Sequence, residues 1–223
     1  MFESMSDRLS VARILGLLPL FLLAGCQDSD LGQLTQLVYT GLTSTPPKIT
    51  RDQAAAVPYA SMGLELGDTA QVLLVLGTET GNELDWFAGD QLFIRTRNGR
   101  IIRTVGLPYD LGGLRPVDAS MTARPVSVAA ARYSFDFPDL GIYDAVAQCT
   151  TRDTGNAMVD VFGSQIATRH IVEHCAVPDA RWNFDNEYWT DPMTGYVWRS
   201  TQHIHPQLPP VVLQVFRPAQ NPG

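Results

Sequence analysis

The sequence predicts a mainly β protein, a single antiparallel β domain of barrel- or sandwich-like form with one or two short N-terminal helices. Many short apolar runs are separated by turn residues at regular spacing, which is typical of such architectures. The pair Asn98-Gly99 between two apolar runs is a strong signal for a two-residue β-hairpin. With 223 residues, 45% of them hydrophobic, the chain is of a size for one domain with a packed core.

Two short helices are predicted before the first strand. The sequence from Thr50 to Gln53 matches a capping box, and three alanines follow it before Pro58 ends the turn. An amphipathic helix is predicted over residues 30–40, because four apolar residues there fall on one face at helical spacing. These residues are Leu31, Leu34, Leu37 and Val38.

The strands are predicted from apolar runs bounded by residues that favour turns. The turn signals are Pro138-Asp139, residues 153–156, Pro178-Asp179, Asp191-Pro192 and Pro206. The predicted strands are residues 70–76, 83–88, 91–97, 100–105, 126–137, 142–151, 157–163, 165–176, 195–204 and 210–217.

The first 26 residues are predicted to be a lipoprotein signal. Arg8 and Arg13 precede an apolar run over residues 14–24, which is too short to span a bilayer but typical of a secretory signal. The run ends in Leu-Ala-Gly-Cys, a pattern in which Cys26 is lipidated after cleavage. Gln27 follows, where Gram-negative lipoproteins retained in the inner membrane commonly carry aspartate, so the outer membrane is favoured.

These features divide the chain into three parts. Residues 1–25 are the signal peptide, residues 26–48 form the lipidated N-terminus, tether and short helix, and residues 49–223 form the β-rich domain. A multiply acylated cysteine holds a domain firmly on a membrane, because each buried methylene contributes about 0.8 kcal/mol. We therefore expect the protein to face the periplasm from the outer membrane.

The charge of the chain argues against nucleic acid as a partner. It carries 16 lysines and arginines against 23 aspartates and glutamates, a net charge of −7. Binding to a phosphate backbone rests on basic side chains that neutralise phosphates. The notable basic residues are four arginines that could line a groove for an acidic polysaccharide, or simply be solvated: Arg51, Arg100, Arg103 and Arg199.

Besides Cys26, the chain has two cysteines, Cys149 and Cys175. In an oxidising compartment two thiols commonly form a disulfide, and this is the first interpretation. The alternative is a pair of buried thiols that act as small hydrophobic residues.

The histidines raise the question of a metal site. His170 to His174 fits the H-x-x-E-H pattern of some zinc peptidases, which requires a helix. The β-branched residues around it favour a strand instead, and in a strand Glu173 faces away from both histidines. His203 and His205 add a further pair, but half-buried or surface histidines are the simpler interpretation. No metal or cofactor is predicted.

Aromatic residues are concentrated between residues 182 and 198, beside carboxylates and asparagines. They are either core anchors, which is favoured, or contacts for sugar rings. The candidate glycan-binding residues are Trp182, Tyr188, Trp189 and Trp198. The carboxylates Asp185, Glu187 and Asp191 are spaced without specificity, so no catalytic residue is predicted.

The sequence also contains a series of distinctive blocks at residues 49–53, 58–61, 99–107, 110–111, 186–202, 206 and 208–210. Together with the Leu-Ala-Gly-Cys pattern, these blocks resemble the group 4 capsule polysaccharide lipoprotein family of the YjbF/GfcB type. The resemblance implies a β-rich, periplasmic, outer-membrane-tethered protein of capsule or exopolysaccharide production, with no defined enzymatic activity. It implies as partners an outer-membrane β-barrel protein and other polysaccharide-secretion proteins. Direct binding of polysaccharide, and a polysaccharide-modifying enzyme, remain the alternatives.

Overall fold

The computed structural model describes residues 47–117 and 130–219. The predicted lipidation site Cys26, the predicted helix over residues 30–40 and the first part of the predicted strand 126–137 lie outside the described residues. The described part holds one α-helix, α1 (Arg51–Ala56), and twelve strands. The strands are β1 Ser61–Leu66, β2 Val72–Thr80, β3 Glu83–Ala88, β4 Leu92–Arg97, β5 Arg100–Val105, β6 Gly113–Pro116, β7 Ala131–Phe137, β8 Ile142–Val161, β9 Ser164–Val177, β10 Trp182–Thr190, β11 Val197–Gln202 and β12 Val211–Arg217.

All twelve strands form one antiparallel sheet that curls into a nearly closed barrel. The order is β5-β4-β3-β2-β1-β12-β11-β10-β9-β8-β7-β6, so the strands at its two ends are consecutive in sequence. At this seam the backbone N–H of Thr104 donates to the carbonyl of Leu111 at 3.0 Å. The predicted fold class, a mainly β domain of barrel-like form, is confirmed.

Local sequence explains the turns that were predicted. Asn98 and Gly99 both have positive φ, 50° and 77°, as a two-residue hairpin between β4 and β5 requires. Thr50 and Gln53 form the predicted capping box at α1. Short 3₁₀ turns at Pro138–Leu140 and Pro178–Ala180 join β7 to β8 and β9 to β10, where proline-aspartate pairs were expected.

The region around residue 155 differs from the prediction. Residues 142–151 and 157–163 were expected to be two strands with a turn between them, but β8 is continuous. A bulge lies between Asp153 and Gly155, and Gly155 takes a φ of 118°. Asp153 and Asn156 both accept hydrogen bonds from Arg169 of β9, so their polar side chains stabilise the pairing rather than a turn.

Three strands lie outside the predicted ranges, each for a physical reason. β1 contains Gly63 and Glu65, and β6 is only four residues long. In β10 the polar residues alternate with aromatic ones, so no continuous apolar run marks the strand. The alternation itself is the signal that could have revealed β10, because side chains of a strand point to opposite faces in turn.

The interior of the barrel is filled by large side chains. Trp86, Phe135, Phe137 and Tyr188 are all fully buried, and phenylalanine rings of β7 and β10 pack edge to face. The interior therefore forms a packed core, as in other small barrels.

The hairpin of β8 and β9 extends beyond the barrel and folds against its outer side. Gln214 of β12 donates from Nε2 to the carbonyl of Asp160 at 2.6 Å. The ring of Phe162 at the hairpin tip lies 4.8 Å from that of Phe216, centroid to centroid. Arg51 of α1 donates to the carbonyl of Phe162. We call residues 155–170 of this hairpin the arm.

Candidate functional site: a buried ion pair and an outer aromatic row

A salt bridge lies inside the barrel, between Arg100 at the start of β5 and Glu173 in β9. Arg100 donates from Nη1 and Nη2 to the two carboxylate oxygens of Glu173, both at 2.8 Å. Their side chains are only 7% and 1% exposed. Such a bidentate salt bridge is geometrically specific as well as strong. It links β5, the strand at one end of the sheet order, to β9 near the other end.

Polar and aromatic groups complete the surroundings of this pair. The guanidinium carbon of Arg100 lies 4.4 Å from the ring centroid of Tyr133 and 5.3 Å from that of Tyr188. Asn186 donates from Nδ2 to Glu173 at 3.3 Å. The Arg100 guanidinium thus has both a counter-ion and aromatic faces, which are favourable partners for a cation.

The pKa values in this cluster reflect its burial. Burial alone lowers the pKa of Arg100, but the attraction of Glu173 outweighs it, so the pKa lies well above its ordinary value. Burial raises the pKa of Tyr188 and of Tyr133. Arg100 therefore keeps its charge and both tyrosines stay neutral at physiological pH.

The β4–β5 hairpin enters the barrel at this point. Gln202 of β11 accepts from the N–H of Ile101 at 2.9 Å and donates to the carbonyl of Gly99 at 2.8 Å. A Cβ on Gly99 would lie 2.5 Å from the Cβ of Val197, so only glycine fits. The side-chain amide of Gln202 thus bonds backbone groups at the start of β5 that a neighbouring strand would otherwise bond.

The four candidate glycan-binding residues do not share one surface. Tyr188 is fully buried in the barrel, and Trp182 packs against Phe135 and Phe184 of the core. Trp198 is half-buried, with a buried indole N–H that has no hydrogen-bond partner among the described residues. Trp189 follows the inward-facing Tyr188, so it lies on the outer face.

Trp189 is the centre of a row of side chains on the outer face of β9, β10 and β11. Its ring stacks on His170, with centroids 4.7 Å apart, and the Arg199 guanidinium lies 5.5 Å from its centroid. His170 in turn is bonded through Nε2 to Glu187 at 2.8 Å. The paired positions Trp189–His170 and Trp189–Arg199 place all three side chains side by side. We call these four residues the outer tryptophan row.

The structure places the H-x-x-E-H residues on a strand. Glu173 points into the barrel, whereas His170 and His174 lie on the outer face, where His174 is bonded to Asp185 at 2.6 Å. His203 is bonded to the backbone of Asp185, and His205 is buried and bonded to Asp139. Within residues 47–117 and 130–219, no three histidines or carboxylates come together as metal ligands.

The carboxylate of Glu173 and the sulfur atoms of the two cysteines lie close enough together to suggest a set of metal ligands. However, the sulfur atoms of Cys149 and Cys175 are bonded to each other, which leaves no thiolate to bind a metal. The two residues face each other across β8 and β9, with Cα atoms 4.1 Å apart. The oxidised pair in the exported protein stays a prediction.

The remaining candidate residues have structural roles. Asp191 accepts from the N–H groups of Met193 and Thr194, which lowers its pKa and stabilises the turn after β10. The arginines that were considered for a groove are dispersed. Arg100 is buried, Arg51 lies in α1 and Arg103 is exposed on β5. They line no common groove with Arg199.

A sequence model of the family described as group 4 capsule polysaccharide lipoprotein GfcB, YjbF matches residues 32–216. The chain belongs to this family. The resemblance noted in the sequence is therefore confirmed, and the blocks that carry it supply part of the buried cluster. Arg100 lies in one block, and Asn186, Tyr188 and Gln202 lie in another.

Two relatives from Escherichia coli K12 match along most of the chain. The chain is 25% identical to the uncharacterized lipoprotein GfcB over 216 residues, which is 92% of this chain and 98% of that protein. It is 24% identical to the uncharacterized lipoprotein YjbF over 193 residues, covering 84% and 90% of the two chains. Both relatives of the family are thus described as lipoproteins.

The crystal structure of the hypothetical lipoprotein YmcC from Escherichia coli K12 has the same fold. Its TM-score is 0.63 at 20% sequence identity, and the match covers 88% of this chain and all of that one. Among the residues described for the present member of the family, no helix is long and apolar enough to cross a membrane.

Proposed function

We propose that this protein is an outer-membrane lipoprotein, facing the periplasm, that assists assembly or export of a capsule or exopolysaccharide without catalysing a reaction on it. The observation that carries this proposal is the match to the capsule polysaccharide lipoprotein family over residues 32–216. The two similar Escherichia coli proteins are described as lipoproteins, which supports lipidation of Cys26.

The geometry supports an accessory that acts through its surface. Large apolar side chains and the Arg100–Glu173 pair fill the barrel interior. Arg100 holds its charge, and Asp185 and Glu187 are bonded to histidines at the surface. These contacts support structural roles for the candidate carboxylates and favour docking to other proteins over a reaction inside the barrel.

The proposed mechanism is docking from a tether. Acylation of Cys26 confines the domain to a thin layer beside the membrane, which raises its effective concentration near a membrane-embedded partner. The expected partners are an outer-membrane β-barrel protein and other polysaccharide-secretion proteins. The net charge of −7 disfavours binding of most of the surface to anionic lipid.

The test is complementation of a strain that lacks the gene, with surface polysaccharide as the readout. We expect the wild-type chain to restore polymer and Cys26→Ala to fail. Gln27→Asp is the matched variant, because it keeps the acylated cysteine but carries the residue typical of inner-membrane retention. Fractionation of the membranes reports where each variant resides. Full restoration by Cys26→Ala, or unchanged polymer in the deletion strain, would contradict the proposal.

A second candidate is direct binding of polysaccharide at the outer tryptophan row. It is favoured by Trp189, whose ring lies on the outer face beside Arg199, His170 and Glu187. Aromatic faces with nearby polar groups suit sugar rings. If this candidate is right, exopolysaccharide shifts the tryptophan emission, Trp189→Ala abolishes the shift, and Trp182→Phe in the core retains it. If exopolysaccharide causes no shift in the wild type and the protein leaves polymer length unchanged, only the accessory role remains.

A further inference from the structure

A row of apolar side chains lies on the outer face of β2 to β5, away from the outer tryptophan row. Val75 pairs with Phe87, Phe87 with Phe93, and Phe93 with Val105. Leu74, Trp86, Ile94 and Thr104, the residues next to them, are buried in the barrel, so strand alternation turns the row outward. We call these four residues the outer apolar row.

Two of the four residues in the outer apolar row are exposed, whereas Val75 and Phe93 are half-buried. Phe87 is 39% exposed and Val105 is 45% exposed, and the rings of Phe87 and Phe93 lie 5.3 Å apart. Beside them, Arg103 is exposed and makes no ion pair with any described residue. Contiguous exposed apolar residues often mark a contact surface.

The chain reaches the barrel on the same outer side. Ile49 donates its N–H to Oε1 of Gln71 at 2.9 Å, and Gln71 donates its N–H to the carbonyl of Pro47 at 3.1 Å. The Gln71 side chain lies over Gly63, where an added Cβ would be 2.6 Å from it. Since Met62 and Leu64 face the core, Gly63 and therefore the segment from Pro47 to Ile49 lie outside the barrel.

The distance from this point to the outer apolar row is short. Gln71 and Val75 are four residues apart along the chain, which is about 13 Å in an extended strand, and each further strand adds about 4.8 Å. The tether thus leaves from the wall of the barrel that carries the exposed aromatic residues. The chain between Cys26 and Pro47 is long enough for this wall to reach the bilayer, since its 20 residues extend over at most about 70 Å.

We propose that the outer apolar row rests on the phospholipid surface to which Cys26 is anchored, with Phe87 and Val105 at the level of the headgroups. Phenylalanine is among the residues that insert at a lipid interface, and the positive charge of Arg103 is attracted to anionic headgroups. The contact orients the barrel, so that the outer tryptophan row faces away from the lipid and remains open to partners. This inference rests on the proposed lipid anchor.

The test is quenching of tryptophan fluorescence by brominated phospholipids, with the full-length acylated protein in vesicles of phosphatidylethanolamine and phosphatidylglycerol. Phe87→Trp places an indole in the outer apolar row and keeps an aromatic residue there. Met193→Trp is the matched control, because Met193 is 90% exposed but lies in the turn between β10 and β11, on the side of the outer tryptophan row. We expect the added emission of Phe87→Trp to be lost in brominated vesicles and that of Met193→Trp to remain.

Two results would overturn the inference alone: no quenching of the indole at position 87, or equal quenching at both positions, in protein that floats with the vesicles. If the quenching of Phe87→Trp disappears when the protein forms dimers, the row contacts a second copy of the chain. This result would also overturn the lipid contact. Protein that carries no acyl group by mass spectrometry and does not float would overturn the proposed anchor, and this inference with it.

Discussion

Arg100 and Glu173 lie 73 positions apart in the sequence and meet inside the barrel through two hydrogen bonds of 2.8 Å. The pair joins the inserted β4–β5 hairpin to the opposite wall. A buried ion pair is poor evidence for stability, because desolvation offsets its attraction. Its geometric specificity suits a role in holding the hairpin in one position.

Removing one partner of this pair should destabilise the protein strongly. Glu173→Gln leaves the Arg100 charge buried without a counter-ion, and we expect the free energy of unfolding to fall by about 3–5 kcal/mol. Glu83→Gln is the control, since Glu83 pairs with Arg97 where both side chains are 28% exposed, and should cost at most about 1 kcal/mol. Urea denaturation measures both, and equal losses would contradict a special role for the buried pair.

The close approach of Gly99 to Val197 gives a second prediction. Gly99→Ala adds about 1–2 kcal/mol of backbone strain at φ 77°, and the overlap with Val197 adds about 1–3 kcal/mol more. Gly81→Ala is the control, since Gly81 has φ 62° with nothing within 4 Å of the added Cβ. Thermal and urea denaturation should show the larger loss for Gly99→Ala, and similar losses would mean that the hairpin does not enter the barrel.

The pairing of Cys149 with Cys175 predicts a redox-dependent stability. The cross-link closes a segment with a sequence separation of 26, so its loss should cost about 3 kcal/mol. We expect thiol labelling of the exported protein, unfolded in urea without a reductant, to leave both residues unmodified. Reduction should then destabilise the wild type but not the double variant Cys149→Ser/Cys175→Ser. Labelling of both cysteines without a reductant would contradict the pairing.

The Arg115–Asp136 pair predicts a loss of stability in acid. Arg115 donates to Asp136 at 2.7 Å, which lowers the pKa of this carboxyl below its ordinary 3.8. The folded state therefore favours the ionised carboxylate, and the stabilisation is complete above pH 3.8 and lost as the pH falls through the lowered pKa. Because Arg115 is half-exposed, we expect about 0.5–1 kcal/mol.

Comparison with Asp136→Asn isolates this effect. The variant should be less stable than the wild type at pH 7, and the difference should be smaller at pH 3, which lies below the ordinary carboxyl pKa of 3.8. Urea midpoints at both pH values provide the measurement. A difference independent of pH would mean that the ionisation of Asp136 makes no contribution.

Much of the fold could be predicted because its signals are local. Asn98-Gly99 forms the predicted hairpin turn, since both residues tolerate positive φ. The strand that carries Glu173 was predicted from its β-branched residues, and the alternation of a strand separates Glu173 from His170 and His174. Asp153 to Asn156 was misjudged as a turn, because Arg169 of the neighbouring strand satisfies those polar groups.

The candidate site was less accessible to sequence reasoning. Composition placed Tyr188 and Trp189 in one aromatic cluster, although a single step along β10 puts one ring inside the barrel and the other outside. The importance of Gln202 has no local signal, because the groups that it bonds lie about a hundred residues away. The outer apolar row likewise exists only in the paired strands.

The sequence by itself determined the family, the β class, most of the turns and the expected lipid anchor, because these depend on short motifs and on the steric preferences of neighbouring residues. The tertiary structure alone decided that Arg100 meets Glu173, that Cys149 lies opposite Cys175, and that Phe87 lies in a row of apolar side chains on the outer face. These relationships follow from strand order and register, which sum many weak long-range contacts. No short window of sequence contains them.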